Sequence, residues 1–400
     1  MGEHADHREI DLLDGDWYLR GAHGPGGDFA WLRDHAPLYW DAGNELWSVA
    51  RYDDIVDVER RKDTFTSADR TKGGYRPNIP ADPALIGMDD PDHHERRNLV
   101  SRRFTPKAIK AWEPEIRAKV TRLLDAVETG GGSAEVVSSL AAPLPAMMIG
   151  KLLGFPDDAW PQLVDWSERT IAGGGGPRYL TDDTILAAMD FAQAAADLYD
   201  AKQGCPADDV MSVWTGATGK PPLERDTVIS DSLLLLDGGA ETTRTVIARG
   251  LLLFIEHPGE WEKLRAGADL TVVTEELIRY ITPIHNMCRV ALEDAPVAGG
   301  VVPAGHQVVM LYGAANRDPA HFEDPDRFDV TRAHNNHIAF GFGTHFCLGA
   351  ALARLEIAVF FEELARRVRS LQLTPGSAPV DMPNAFVNGL RSAHLDLEFA

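Results

Sequence analysis

Cysteine is nearly missing from this chain of 400 residues: Cys205, Cys288 and Cys347 are all it has. Three thiols at those spacings make no disulfide framework and no paired metal-ligand motif, and they fit a reducing compartment. Long apolar runs are missing too. The longest candidate, A-A-P-L-P-A-M-M-I-G, is interrupted by Pro143 and Pro145 and falls short of a bilayer span. The opening M-G-E-H-A-D-H-R-E-I-D is polar and acidic rather than basic then apolar. No secretory leader or membrane anchor is therefore expected, and the chain reads as cytoplasmic. Basic residues are in deficit: 39 Lys and Arg stand against 61 Asp and Glu, a net charge of −22. That argues against nucleic acid as a partner and for solubility. No low-complexity linker or internal repeat divides the sequence. With 44% hydrophobic and 25% charged residues, one large, mostly helical domain over 1–400 is expected.

What is present is unevenly informative. L-Y-W (38–40) and L-W-S-V-A (46–50) flank a D-A-G-N turn and predict a hairpin. Helical spacing dominates from Pro91 to Lys202, broken by the four glycines 173–176. Such a run reads as a mobile segment, either a plain connector or a hinge. The longest predicted helix covers Asp226 to His257, with Asp226 as its cap and Pro258 as its stop; another covers Leu270 to Ile281, ending before Pro283. Q-V-V-M-L at 307–311 reads as a strand.

The densest signal is F-G-F-G-T-H-F-C-L-G-A at 340–350. Cys347 lies in a glycine-punctuated loop, and Leu348, Leu352, Leu355 and Val359 follow at helical spacing. A sulfur at a helix N-terminus meets free N–H groups and a favourable dipole, which favour the thiolate. Gly343 and Gly349 remove side chains beside it, and Phe340 offers a ring to something flat. Within the long helix, L-L-L-L-D-G-G-A-E-T-T-R (233–244) carries two adjacent glycines, Gly238 and Gly239, followed by Glu241 and Thr242. Paired helix glycines cost about 1 kcal/mol each relative to alanine, so they mark either a close helix crossing or a groove for a cofactor. Glu276 and Arg279, three apart on a helix, share one face, as do His93 and Arg97, four apart.

The pattern F-x-x-G-x-H-x-C-x-G, filled by Phe340, Gly343, His345, Cys347 and Gly349, resembles the haem loop of the cytochrome P450 superfamily. The resemblance implies that superfamily's fold, mainly α with a minor β portion and small sheets. It implies haem b ligated by Cys347, and a bacterial, soluble member. It matches Gly238, Gly239, Glu241 and Thr242 to the oxygen-activating, proton-relaying segment. It gives Glu276, Arg279 and Arg327 the places of a buried Glu-Arg-Arg cluster that supports the loop, and His93, Arg97, Arg289 and His345 the places of haem-propionate partners. The implied activity is insertion of one atom of O2 into a C–H bond, with electrons from NAD(P)H through an external ferredoxin reductase and ferredoxin. Nine Lys or Arg between 95 and 122 oppose three Glu; this stretch is either a solvated face or the docking surface for that ferredoxin. The pocket is expected to draw on Leu85, Met88, Leu235, Ile284, Met287, Phe386 and Val387, which are apolar and suit a hydrophobic substrate. The segments 140–154, 286–290, 337–349 and 384–390 are similar to actinobacterial cholesterol or cholestenone side-chain hydroxylases. The alternatives are a tailoring hydroxylase of a polyketide, terpene or peptide and, in a different class, a non-catalytic haem-binding sensor.

Overall fold

The long helix Arg225–Glu256 organises the molecule. At 1.5 Å per residue its 32 residues span roughly 48 Å, and few of its inner faces meet solvent. Helix Pro143–Leu153 crosses it, and the C-terminal helix Ala350–Arg367 packs beside it. Ile247, Leu251 and Phe254 meet Leu277, Ile281, Phe360, Phe361 and Leu364 in the largest apolar cluster. At Gly250 the C-terminal helix packs tightly: a Cβ there would lie 2.7 Å from the Phe361 ring. These observations come from a computed structural model that describes residues 8–20, 27–217, 219 and 221–400.

The predicted elements mostly form where their punctuation stands. The hairpin pairs Leu38–Asp41 with Leu46–Val49. Its turn is closed by Asp41 Oδ1, which accepts from the N–H groups of Gly43 and Asn44. Strand Gln307–Leu311 adds parallel to Leu46–Val49, and Asn286–Ala291 and Phe65–Thr66 complete a five-stranded sheet. Helix Leu270–Ile281 starts on an Asp269 side-chain cap and stops at Thr282, whose φ is 46°.

Two expectations fail. The long helix begins at Arg225, after extended Glu224, so Asp226 lies in the first turn and complements the dipole instead of capping it. The four-glycine segment is not a mobile connector. Gly173, Gly174 and Gly175 are buried in a tight turn, Ile171–Gly175, and a Cβ on Gly174 would lie 2.4 Å from the Phe386 ring. Close packing requires glycine at 174, and a φ of 111° requires it at 176. Among the described residues no helix is long and apolar enough to cross a membrane.

Candidate functional site

The cysteine loop is held by its own backbone. Cys347 N–H donates to the Phe340 carbonyl at 2.9 Å, and Gly341 and Gly343 adopt φ of 70° and 71°. Gly343 also presses on helix Tyr52–Arg60: a Cβ would lie 2.9 Å from the Glu59 carbonyl oxygen. Gly343 is therefore required by turn geometry, not by a flat ligand. The helix starts at Ala350, with Gly349 before it. The Cys347 sulfur takes backbone hydrogen bonds from Gly349 and Ala350. Burial nevertheless pushes the thiol up, with those bonds, Arg97 and Arg354 opposing. The helix terminus alone does not make the thiolate favourable; a cation bound to sulfur would.

Cys347 opens onto an internal cavity of about 460 Å³. Phe340, Gly349, Leu348 and Leu352 line its cysteine side; Gly238, Gly239, Thr242 and Thr243 on the long helix line the other. His93, Arg97, Arg289 and His345 all reach it. The His93 and His345 rings lie 4.2 Å apart, and Arg97 donates to the Phe346 carbonyl. His345 is pushed down to about 2 by burial and by Arg289, His93 and Arg97. Two guanidiniums and two imidazoles gathered this way, beside an aromatic ring and a buried thiol, fit an anionic planar macrocycle. The donor set suits haem: sulfur for iron, guanidinium forks for carboxylates.

The two helix glycines have different reasons. A Cβ on Gly238 would meet nothing within 4 Å, because it faces the cavity; one on Gly239 would lie 2.8 Å from Ile149 on the crossing helix. Thr242 lines the cavity, and its hydroxyl donates to the Gly238 carbonyl at 2.8 Å. Glu241 is not in the cavity wall. It is buried against Arg244, 2.9 Å away, and burial followed by repulsion from Glu168 holds its carboxyl up. The expected acid–alcohol pair is thus split across the helix. Glu241 and Arg244 repeat the E-x-x-R spacing of Glu276 and Arg279, a signal that the acid turns toward a partner.

Three buried carboxyls escaped the sequence reading. Asp237 and Glu356 line the cavity, and burial raises both well above the carboxylate range. Glu59 accepts from Tyr312 at 2.7 Å, lies 3.7 Å from Arg289, and is raised by burial to about 7. Asp237 stands directly before the glycine pair, and Glu356 interrupts the apolar stripe between Leu352 and Val359. Both irregularities were visible signals.

Around the site, the support cluster differs from expectation by one arginine. Glu276, fully buried, accepts from Arg279 at 2.8 and 2.9 Å and from Arg332 at 3.1 and 3.2 Å. Arg327 is 59% exposed, with its guanidinium 3.6 Å from Asp329; only its carbonyl joins the cluster, accepting from Arg279 and Arg332. The loop turns before Arg332 faces inward. Of the expected pocket residues, Leu85, Leu235, Ile284, Met287 and Phe386 line the cavity. Met88 does not, since its sulfur accepts from Arg96 at 3.3 Å. Val387 does not either; it is buried behind the wall in a bridge to Ile284.

The basic stretch is largely neutralised. Arg96 pairs with Asp231, Arg103 with Asp208, Lys110 and Arg117 with Glu113, and Lys119 with Glu115. Arg97 points inward, which leaves Arg102, Lys107 and Arg122 exposed.

Comparison with known proteins adds a family-level match: the profile described as Cytochrome P450 covers residues 270–396. A steroid C26-monooxygenase of Mycobacterium tuberculosis is 36% identical over 393 residues, covering 96% of each chain. A linalool 8-monooxygenase of Pseudomonas putida is 31% identical over 97% of this chain and 98% of its own. A Bacillus megaterium crystal structure in complex with testosterone superposes with TM-score 0.84 at 33% identity, covering 92% of this chain and 96% of that one.

Proposed function

This chain belongs to the cytochrome P450 family and is a monooxygenase, and from that premise we propose that it hydroxylates a C–H bond of a hydrophobic substrate of the steroid or lipid class, with haem b held by Cys347. One observation carries the reading: Cys347 and the Gly238–Thr242 segment face each other across a single, mostly apolar cavity. Haem, when bound, supplies O2 binding and oxygen transfer. The residues of this chain do the rest. Arg97, Arg289, His93 and His345 hold the propionates. Gly238 leaves open space in the cavity wall across from Cys347. The Thr242 hydroxyl, tethered to the Gly238 carbonyl, holds a proton at the cavity face. Leu85, Leu235, Ile284, Met287 and Phe386 exclude water and orient the substrate. The steroid class is supported by the M. tuberculosis relative and by the testosterone-bound structure. Electrons come from NAD(P)H through a ferredoxin reductase and a ferredoxin. The ferredoxin docks on the cysteine side, where Phe346 is 41% exposed and Arg102 and Lys107 are exposed with no salt-bridge partner among the described residues.

The test is direct. Reduced protein under carbon monoxide is expected to give the red-shifted Soret band of thiolate ligation, and Cys347→Ser to lose it. Spin-state titration with steroids is expected to show binding. A response to linalool-type terpenes alone would move the substrate to the tailoring class. Thr242→Ala is expected to keep the Soret band but to yield several-fold less product per NAD(P)H consumed. Unchanged coupling would remove Thr242 from proton delivery.

A further inference from the structure

Besides the cysteine-side guanidiniums and imidazoles, the threonines of the long helix and Glu356, the cavity has a further polar group of side chains. Tyr75, Arg76, Asp82, Thr170 and Asp237 all reach the same space. Asp237 Oδ1 accepts from the Thr170 hydroxyl at 2.7 Å, across the gap between the long helix and helix Trp160–Thr170. Its Oδ2 takes no hydrogen bond from any described residue. Arg76 uses one nitrogen, Nη2, on Asp82 at 3.1 Å, and Tyr75 donates to the same oxygen at 2.8 Å. The Arg76 Nε is buried and has no partner, and the guanidinium acts electrostatically on Asp237. A hydrocarbon filling this cavity would strand those groups, which is costly in a dry site.

We infer that Asp237 and Arg76 form a hydrogen-bonding anchor for an alcohol hydroxyl, so that the substrate is a hydrophobic molecule already carrying oxygen. The chemistry selects this group. An ammonium would be repelled by Arg76, and a carboxylate by Asp82, which already occupies one Arg76 nitrogen. A hydroxyl satisfies both Asp237 and Arg76, donating to one and accepting from the other. Burial, aided by Glu241 and opposed by Thr170 and Arg76, keeps the Asp237 carboxyl inclined to its neutral form, which an alcohol pairs with in both directions. Asp237 lies little more than one helical turn from Thr242. The anchored oxygen therefore sits near the attacked carbon, not at the far end of a long skeleton.

The inference rests on the monooxygenase reading, and its test separates the two. Spin-state titrations would use testosterone against its 17-deoxy analogue, and dodecanol against dodecane. They would be run on wild-type holoenzyme, Asp237→Leu and Arg76→Met, each with its reduced carbon monoxide spectrum intact. The alcohol-over-hydrocarbon affinity ratio is expected to be about tenfold larger in wild type than in either variant. A ratio unchanged in both variants overturns the anchor. Should the steroid pair be silent while dodecanol shows the Asp237-dependent preference, the anchor stands and the steroid class falls. Steroids that bind alike with and without the hydroxyl leave the class standing and the anchor refuted. Silence from all four compounds refutes both.

Discussion

Glu276 and Glu275 are neighbours on one helix, yet they are stabilised differently. Glu276 is ringed by Arg279, Arg332, Asn335 Nδ2 at 3.0 Å and the Asp329 N–H at 2.9 Å. Removing one donor from a buried carboxylate leaves charge uncompensated. Arg332→Ala is therefore expected to cost about 3 kcal/mol in chemical denaturation, whereas Arg327→Ala, at the surface, stays within about 0.5 kcal/mol. Equal losses would restore Arg327 to the cluster. Burial alone would raise Glu275, but His337 and Arg354 outweigh it and bring the carboxyl down to about 2. Its folded value lies below its ordinary 4.5, so its stabilisation is complete above that value and disappears as pH falls toward 2. The shift corresponds to ~3 kcal/mol at most, nearer ~2 after solvent screening. Glu275→Gln should flatten the acid side of the stability profile between pH 5 and 2; an unaltered profile would mean the ion pair carries none of it. At this scale the sequence was least legible. The family resemblance marked Cys347, His93, Arg97, Arg289 and His345, and the structure brings all five to one cavity; spacing was less informative. It could not tell which way Glu241 turns about its helix, or that five further residues of loop would pass before an arginine reached Glu276.

Elements were read more successfully, because helix and strand limits are written in caps and breakers. Asp269 and Pro283 bracket a helix whose ends match expectation, and the D-A-G-N turn closes the hairpin it signalled. The four-glycine run misled because glycine serves two opposite purposes, freedom and close approach, which only a neighbour such as Phe386 can distinguish. The long helix contains both purposes side by side. Gly238→Ala should fold with up to about 1 kcal/mol of added helix stability while its methyl narrows the space over the haem, weakening ligand binding. Gly239→Ala should lose about 1–3 kcal/mol by overpacking Ile149. Thermal melts and carbon monoxide affinity check both; the reverse order would contradict the assigned directions of the two glycines.

For the molecule as a whole, acidic side chains outnumber Lys and Arg by 22. A basic stretch mostly paired with carboxylates of its own and of other elements leaves Arg102, Lys107 and Arg122 exposed, on the surface where the proposed ferredoxin would dock. Arg102→Glu combined with Lys107→Glu is expected to raise the KM for ferredoxin about five- to tenfold at low salt, with kcat unchanged and a shallower salt dependence. An unchanged KM would place docking elsewhere. Global composition had suggested a larger patch, since counting residues cannot reveal pairing across helices.

The meeting of Gly174 with Phe386 has a further consequence. Two stretches more than two hundred positions apart set one dimension of the chamber jointly, so position 174 cannot grow alone. A bulkier residue at 174 forces a smaller one at 386, and substrate range should shift in paired steps as related chains diverge.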